Sequence, residues 1–197
     1  MRPKFSSGSD GYPPFLLKQT GPSIAGIIAQ LFQSFMSIGR VPSDWKQAII
    51  KPLFKKGASS DPASYRPISL TSMFSKLMEK IIVEQMLKYL LTNNLISKQQ
   101  HGFLSRRSTA TNLIESLNDW TVKMENRQGQ SVAYIDFAKA FDSVSHPKLL
   151  TKLRAYGIGG VLLNWISNFL AGRSHVTRAG HCLSPIAFIT SGVIQGS

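Results

Sequence analysis

Tyr134-Ile135-Asp136-Phe137-Ala138-Lys139-Ala140-Phe141-Asp142-Ser143-Val144 is the stretch on which the fold reading turns. Together with the residues just before it, its opening makes an apolar run, SVAYIDF over 131–137, with the length and the aromatic and β-branched content of a buried strand. Asp136 then falls where strand gives way to turn. A carboxylate leaving a sheet at that point is one hard-oxygen ligand for magnesium, which takes few protein oxygens and keeps water and substrate phosphate in its shell. The residues alone leave a second reading open, because an aspartate after a strand also serves as a turn former or a helix cap.

Working outward, His146-Pro147 can open a helix that stops at Gly157, and Val161 to Leu170 makes another stopped by Gly172. Ser174–Ala179 and Ser184–Thr190 look like two strands around Gly180. Upstream, Gly129 resets the chain after a helix expected over Thr109–Met124, which follows the basic loop Ser105-Arg106-Arg107-Ser108. Phe74, Leu77, Met78, Ile81, Ile82, Met86, Tyr89 and Leu90 form a wide helical stripe from Thr71 to a turn near Asn93-Asn94. Lys55 to Pro67 is a loop rich in Gly, Ser, Asp and Pro. Ala48–Phe54, interrupted by Pro52, reads as an edge strand or extended arm. Ile24, Ile27, Ile28, Leu31, Phe32 and Phe35 recur at helical spacing between the capping stretch Thr20–Ser23 and Gly39. Helices outweigh a few separated strands without regular strand-helix alternation, so the fold class is α+β.

The chain has 197 residues, 43% of them hydrophobic, enough for an ordinary core and against wholesale disorder. Lys and Arg outnumber Asp and Glu by 23 to 10, a net charge of +13 that points to a polyanionic partner, nucleic acid first, although solubility alone also explains it. The lone Cys182 rules out an internal disulfide and a cysteine-rich zinc site. With no apolar run of about 18 residues and no secretory pattern near Met1, the expectation is a soluble, intracellular protein with no membrane partner, nucleus and cytoplasm being indistinguishable.

YIDFAKAFDSV resembles the first palm motif of reverse transcriptases, in wording similar to the LINE-type (non-LTR) retrotransposon enzymes. IIKPLFKKGASSDPASYRPISL over 49–70 is similar to their fingers motifs. QQHGF at 99–103 with Arg106-Arg107-Ser108-Thr109 resembles the block ahead of the palm, and Asp10-Gly11-Tyr12-Pro13-Pro14 with Leu17-Lys18 resembles a short block before the fingers. Gly192-Val193-Ile194-Gln195-Gly196-Ser197 resembles the GxxQGS opening of the second palm motif, with isoleucine where the family usually has proline.

The resemblance implies a partial right-hand polymerase fold, helix-rich with a small antiparallel palm sheet, about 1–130 being fingers and about 131–197 an incomplete palm. It implies that Asp136 is catalytic and holds a pair of magnesium ions, helped by the carbonyl of Phe137, and that Phe141 lies beneath the sugar of the incoming nucleotide. Lys55 or Lys56, which the sequence does not separate, would reach the outer phosphates; Arg66 would contact phosphates and base. Gln195 and Gly196 would meet nucleotide and template. His101, Gly102, Phe103, Arg106 and Arg107 would contact the template strand, while Asp142 fits a capping or salt-bridging role better than metal binding. The partners implied are an RNA template, a DNA primer and deoxynucleoside triphosphates. No Asp-Asp pair occurs in the sequence. The expectation is therefore that the remaining palm and the thumb lie beyond Ser197 and that this chain alone is inactive. A nucleic-acid-binding relic, or a fragment of a group II intron maturase or other palm polymerase, are the alternatives.

Overall fold

The computed structural model describes residues 8–195. They divide into two compact units, one made of 8–85 with 139–195, the other of Met86–Ala138.

The larger unit is built on a mixed sheet. Strands β1 (Gln47–Phe54) and β2 (Tyr65–Leu70) form an antiparallel hairpin, and β3 (Ser174–Ala179) runs parallel to β1 on its other side. The short β4 (Cys182–Leu183) and β5 (Ala187–Phe188) both pair antiparallel with β3. The expected Ser184–Thr190 strand is thus reduced to a two-residue bridge; the strands within 131–195 pair antiparallel, and the parallel pair joins β3 to β1. Parallel neighbours need a long crossover. Here the chain between β1 and β3 supplies it.

Pro52 does not place β1 at an edge, as its missing N–H suggested. It faces Pro67 across the hairpin, and β3 pairs only with Gln47–Ile50. A proline pair is acceptable only where neither nitrogen points at the other strand, so the Pro52 nitrogen points toward the β3 side, beyond the end of that pairing.

Helix α1 (Pro14–Ser37) starts ten residues before the first residue of the apolar stripe and runs through Pro22. The start follows from proline chemistry: Pro14 stands in the first turn, where no N–H is needed. Its C-terminal half carries buried Phe32, which with Phe35 packs edge-on against Trp45 at ring separations of 5.9 and 5.2 Å. Helix α2 (Met73–Thr92) begins under a long-range cap: the Asp10 carboxylate accepts from Met73 N at 2.8 Å and Ser72 Oγ at 2.9 Å. Helix α3 (Thr109–Glu125) has the capping box of Ser108 and Thr111. Helices α4 (His146–Ala155) and α5 (Gly160–Leu170) follow closely, α5 burying Leu163, Trp165, Ile166 and Leu170.

Within the larger unit, one buried cation joins α5 to the turn before β1. Arg173, 2% exposed, donates from Nη1 to Phe169 O (3.0 Å) and from Nη2 to Trp45 O (3.2 Å), its guanidinium lying 4.5 Å from the Phe169 ring centre. Burial lowers its pKa, opposed by the carboxylate of Glu79.

The run 131–137 forms no strand. It is irregular coil, with Tyr134, Ile135 and Phe137 at least three-quarters exposed. A β-rich sequence becomes a strand only when a neighbour takes its backbone groups and a second layer covers its apolar face. Among the described residues neither is recorded for this run.

Candidate nucleotide-binding site

Segment 189–195, which follows β5, organises the site in the larger unit. Its start is fixed to the sheet by Ile189 N donating to Arg173 O at 2.9 Å. Its end reaches the other side of the sheet, where Ser69 N donates to Gln195 O at 2.9 Å. Ser69 has the same strand parity as Pro67, so its N–H points away from β1 to the free edge of β2. The segment therefore crosses from the β5 side to the β2 edge. Beneath it lies a cavity of about 420 Å3 whose sheet wall carries Ala48, Ile50, Pro67, Ser69, His175 and Thr177.

The middle of the crossing is bound to the loop that follows Asp136. Val193 N donates to Phe141 O (2.9 Å), Gly192 N to Val144 O (2.8 Å) and Ser191 Oγ to Asp142 O (3.0 Å). The Gly192 carbonyl accepts from His146 Nε2 at 2.7 Å. This packing explains the glycine: at φ +89° it lies in the left-handed region, and a Cβ there would stand 2.8 Å from both Cα and O of Asp142. Backbone lies against backbone, and nothing in the contact can swing aside.

Three sequence-distant motifs are thereby joined, those containing Phe141, Gln195 and the β2 residues next to Arg66. Phe141 is 38% exposed. Arg66 is exposed and pairs in register with Leu53; strand alternation puts its side chain on the face opposite Pro67 and Ser69, so it does not line the cavity. The cavity is the space behind the crossing segment. Lys55 and Lys56 are both exposed at the hairpin turn, which Lys55 N closes by donating to Ser64 O at 2.8 Å. Gly57, at φ +102°, approaches Ser64 so closely that a Cβ would meet its Oγ at 2.6 Å. Gly196 lies outside the described residues.

Asp136 and Phe137 belong to the smaller unit, both exposed in the coil described above. Among the described residues no group of three or more His, Cys, Asp or Glu is placed to share a metal ion.

The same unit carries the QHGF block. His101 is buried, its Nδ1 2.9 Å from Thr111 Oγ1 and its Nε2 2.7 Å from Glu115 Oε2. Arg107 Nη1 stands 3.8 Å from the same carboxylate oxygen. Thr111 also completes the α3 capping box with Ser108, so the ring is locked onto the first turns of that helix. Gly102 to Arg107 form the loop outside this anchor. Phe103 is 86% exposed, and both Phe103 and Arg106 hold positive φ (61° and 62°), conformations that turn the chain sharply.

Sequence reasoning treated His146 only as a helix opener and did not single out Arg173. The signal for His146 was a histidine following the palm motif by a few residues. A long-range bond to a carbonyl leaves no periodicity by which to read it.

The profile of the family described as Reverse transcriptase (RNA-dependent DNA polymerase) matches residues 53–197. The chain belongs to that family. It is 35% identical over 172 residues, 86% of its length, to the RNA-directed DNA polymerase from mobile element jockey of Drosophila melanogaster, and covers 19% of that protein. It is 29% identical over 198 residues to the Drosophila funebris counterpart, of which it covers 22%, and 26% identical over 201 residues to the probable RNA-directed DNA polymerase from transposon BS of Drosophila melanogaster, of which it covers 21%. The chain thus spans about a fifth of the length of the curated relatives it matches. Among the described residues no helix is long and apolar enough to cross a membrane.

Proposed function

We propose that this chain carries the incoming-nucleotide side of an RNA-directed DNA polymerase of the LINE type, which extends a DNA primer on an RNA template. The observation that carries the reading is the crossing segment: by Val193 N to Phe141 O and Ser69 N to Gln195 O it ties the sugar-facing ring, the nucleotide-facing glutamine and the fingers hairpin into one framework. In this reading 1–130 are fingers and 131–197 palm. Lys55, Lys56 and Arg66 neutralise the triphosphate, and a charged clamp on the outer phosphates suits in-line attack by a primer 3′-hydroxyl with departure of pyrophosphate. The Phe141 ring occupies the space that a 2′-hydroxyl would need.

Asp136 supplies one carboxylate toward magnesium, and no step is derived through the metal. The template contacts fall to Phe103, whose exposed ring can stack on a base, and to Arg106 and Arg107 with Gly102 allowing close approach. His101, buried in its anchor, shapes that loop from behind. The net charge of +13 fits such partners.

The test is nucleotide binding by the chain itself, followed by saturation-transfer NMR with dATP and ATP. Binding of both nucleotides that weakens in Arg66→Ala, and a preference for dATP that is lost in Phe141→Ala, are the expected results. Equal binding of both nucleotides by the unmodified chain, or no change in either variant, would refute the reading.

A further inference from the structure

We propose that His146 is a positioning residue: by holding the Gly192 carbonyl it sets the spacing between Phe141 and Gln195, and hence the fit of a deoxyribose between them. The inference rests on the nucleotide reading above.

The geometry is that of a clip with defined polarity. Gly192 O can only accept, so the His146 Nε2, at 2.7 Å, must carry a proton. That condition is met by the Nε2–H tautomer and by the imidazolium. His146 opens α4, directly after Ser145, so a rigid helix end carries the imidazole. The residue it grips is held at its other polar atom as well: Gly192 N bonds Val144 O, two residues before the histidine. Gly192 is thus held on both polar atoms by one short stretch of chain. The next residue, Val193, bonds Phe141 O, and two residues further Gln195 is pinned to β2.

Without the imidazole the carbonyl loses its partner, while the left-handed Gly192 retains the freedom to rotate. The Gly192–Val193 peptide is then held to the Phe141 loop by its Val193 N–H alone. With that single bond the peptide is a hinge about the Val193 N–H, and the second bond, from the histidine to Gly192 O, removes the freedom. Gln195 lies on the far side of the hinge.

Three substitutions separate this role from a general structural one. A glutamine amide nitrogen reaches the place of Nε2, whereas an asparagine mimics Nδ1 and falls short. In the 197-residue chain, amide exchange at Gly192 and Val193 is expected to accelerate about tenfold in His146→Ala and His146→Asn, which is a loss of about 1.4 kcal/mol of local protection, and to stay near the parent value in His146→Gln. Nitrogen-15 NMR is expected to find Nε2 as the protonated nitrogen of the neutral His146 ring. In saturation transfer with dATP and ATP, the Ala and Asn variants should lose the preference for dATP and the Gln variant should keep it. Unchanged exchange in His146→Ala, a Gln variant as impaired as Ala, or an Nδ1–H ring would overturn the proposal. Exchange results as expected with no nucleotide preference in any variant, the parent included, would instead overturn the nucleotide reading and with it the role assigned here, leaving only a backbone clip.

Discussion

Gly192 and Asp142 lie backbone against backbone, so close that the first carbon of any side chain at 192 would overlap the Asp142 peptide at 2.8 Å. The contact fixes where the GxxQGS motif begins, since a residue with φ +89° and no room for Cβ can only be glycine. Gly192→Ala is expected to cost about 2–4 kcal/mol, combining left-handed strain with a clash against atoms that cannot rotate away. Urea denaturation measures the loss. Faster exchange of the Val193 amide than of Ser69 N would locate the displacement at the Phe141 side of the crossing.

Arg173 is a test of how a buried cation is held by carbonyls. Its Nη atoms satisfy Phe169 O and Trp45 O, its guanidinium lies over the Phe169 ring, and burial pushes its pKa down. Arg173→Met keeps most of the volume but strands both carbonyls, so a loss of about 2–4 kcal/mol is expected. Arg173→Lys retains charge but has one nitrogen for two acceptors, and should lie between Met and the parent. If Met were as stable as Arg, the bridge would have no energetic role.

Lys46, on the turn of helix before β1, has its pKa lowered, first by burial and then by the nearby Arg173 charge. The sign follows directly. A lysine whose folded pKa lies below its unfolded value binds fewer protons when folded, so its protonated form opposes folding at neutral pH and the opposition fades as pH rises toward the lysine value of 10.5. Lys46→Gln should therefore be more stable than the parent near pH 7, and the gap should close between the lowered pKa and 10.5. Paired denaturation curves at pH 7 and pH 10.5 measure it; a gap that widens with pH would contradict the assigned cause.

Thr111 connects cap and anchor in the QHGF block, serving Ser108 N, Ser108 O and His101 Nδ1 through one hydroxyl. Thr111→Val keeps the shape and removes the oxygen. A loss of about 1 kcal/mol is expected from the cap alone, with added mobility at Phe103 because the imidazole anchoring that loop has lost a partner. Fluorine NMR of a labelled Phe103 would register the second effect, and no change there would mean that His101 holds the loop through Glu115 by itself.

The contrast between elements shows what a sequence can carry. Helices α2, α3, α4 and α5 were legible because each buries or presents a stripe at a period of 3.6 and ends in recognisable chemistry such as Ser108 or Gly157. The start of α1 was not, because Pro22 reads locally as a boundary while Pro14 is an equally good first-turn residue. The site was legible as motifs and illegible as geometry. Nothing around Gln195 announces that its carbonyl meets the β2 edge, or that Asp10 caps a helix more than sixty residues away, because those bonds are made by parts of the chain that no local period relates.

The run 131–137 carries the sharpest disagreement and the most direct test. Its sequence asks for a strand, yet Tyr134 is 85% exposed, Ile135 78% and Phe137 75%, with irregular backbone throughout. Amides in 131–137 should therefore exchange at nearly their unprotected rate in the isolated chain, while those of Ile49 and Ile50 in β1, flanked by β2 and β3, exchange far more slowly. The same apolar residues make this run the part of the chain most prone to pair with any free strand edge offered to it. Val132→Lys together with Ile135→Lys should raise the concentration at which the chain aggregates without lowering its denaturation midpoint, because neither side chain is buried in the fold. Light scattering and urea unfolding on the same double variant decide the matter: a lowered midpoint would mean that the run is packed after all and that its strand forms in solution.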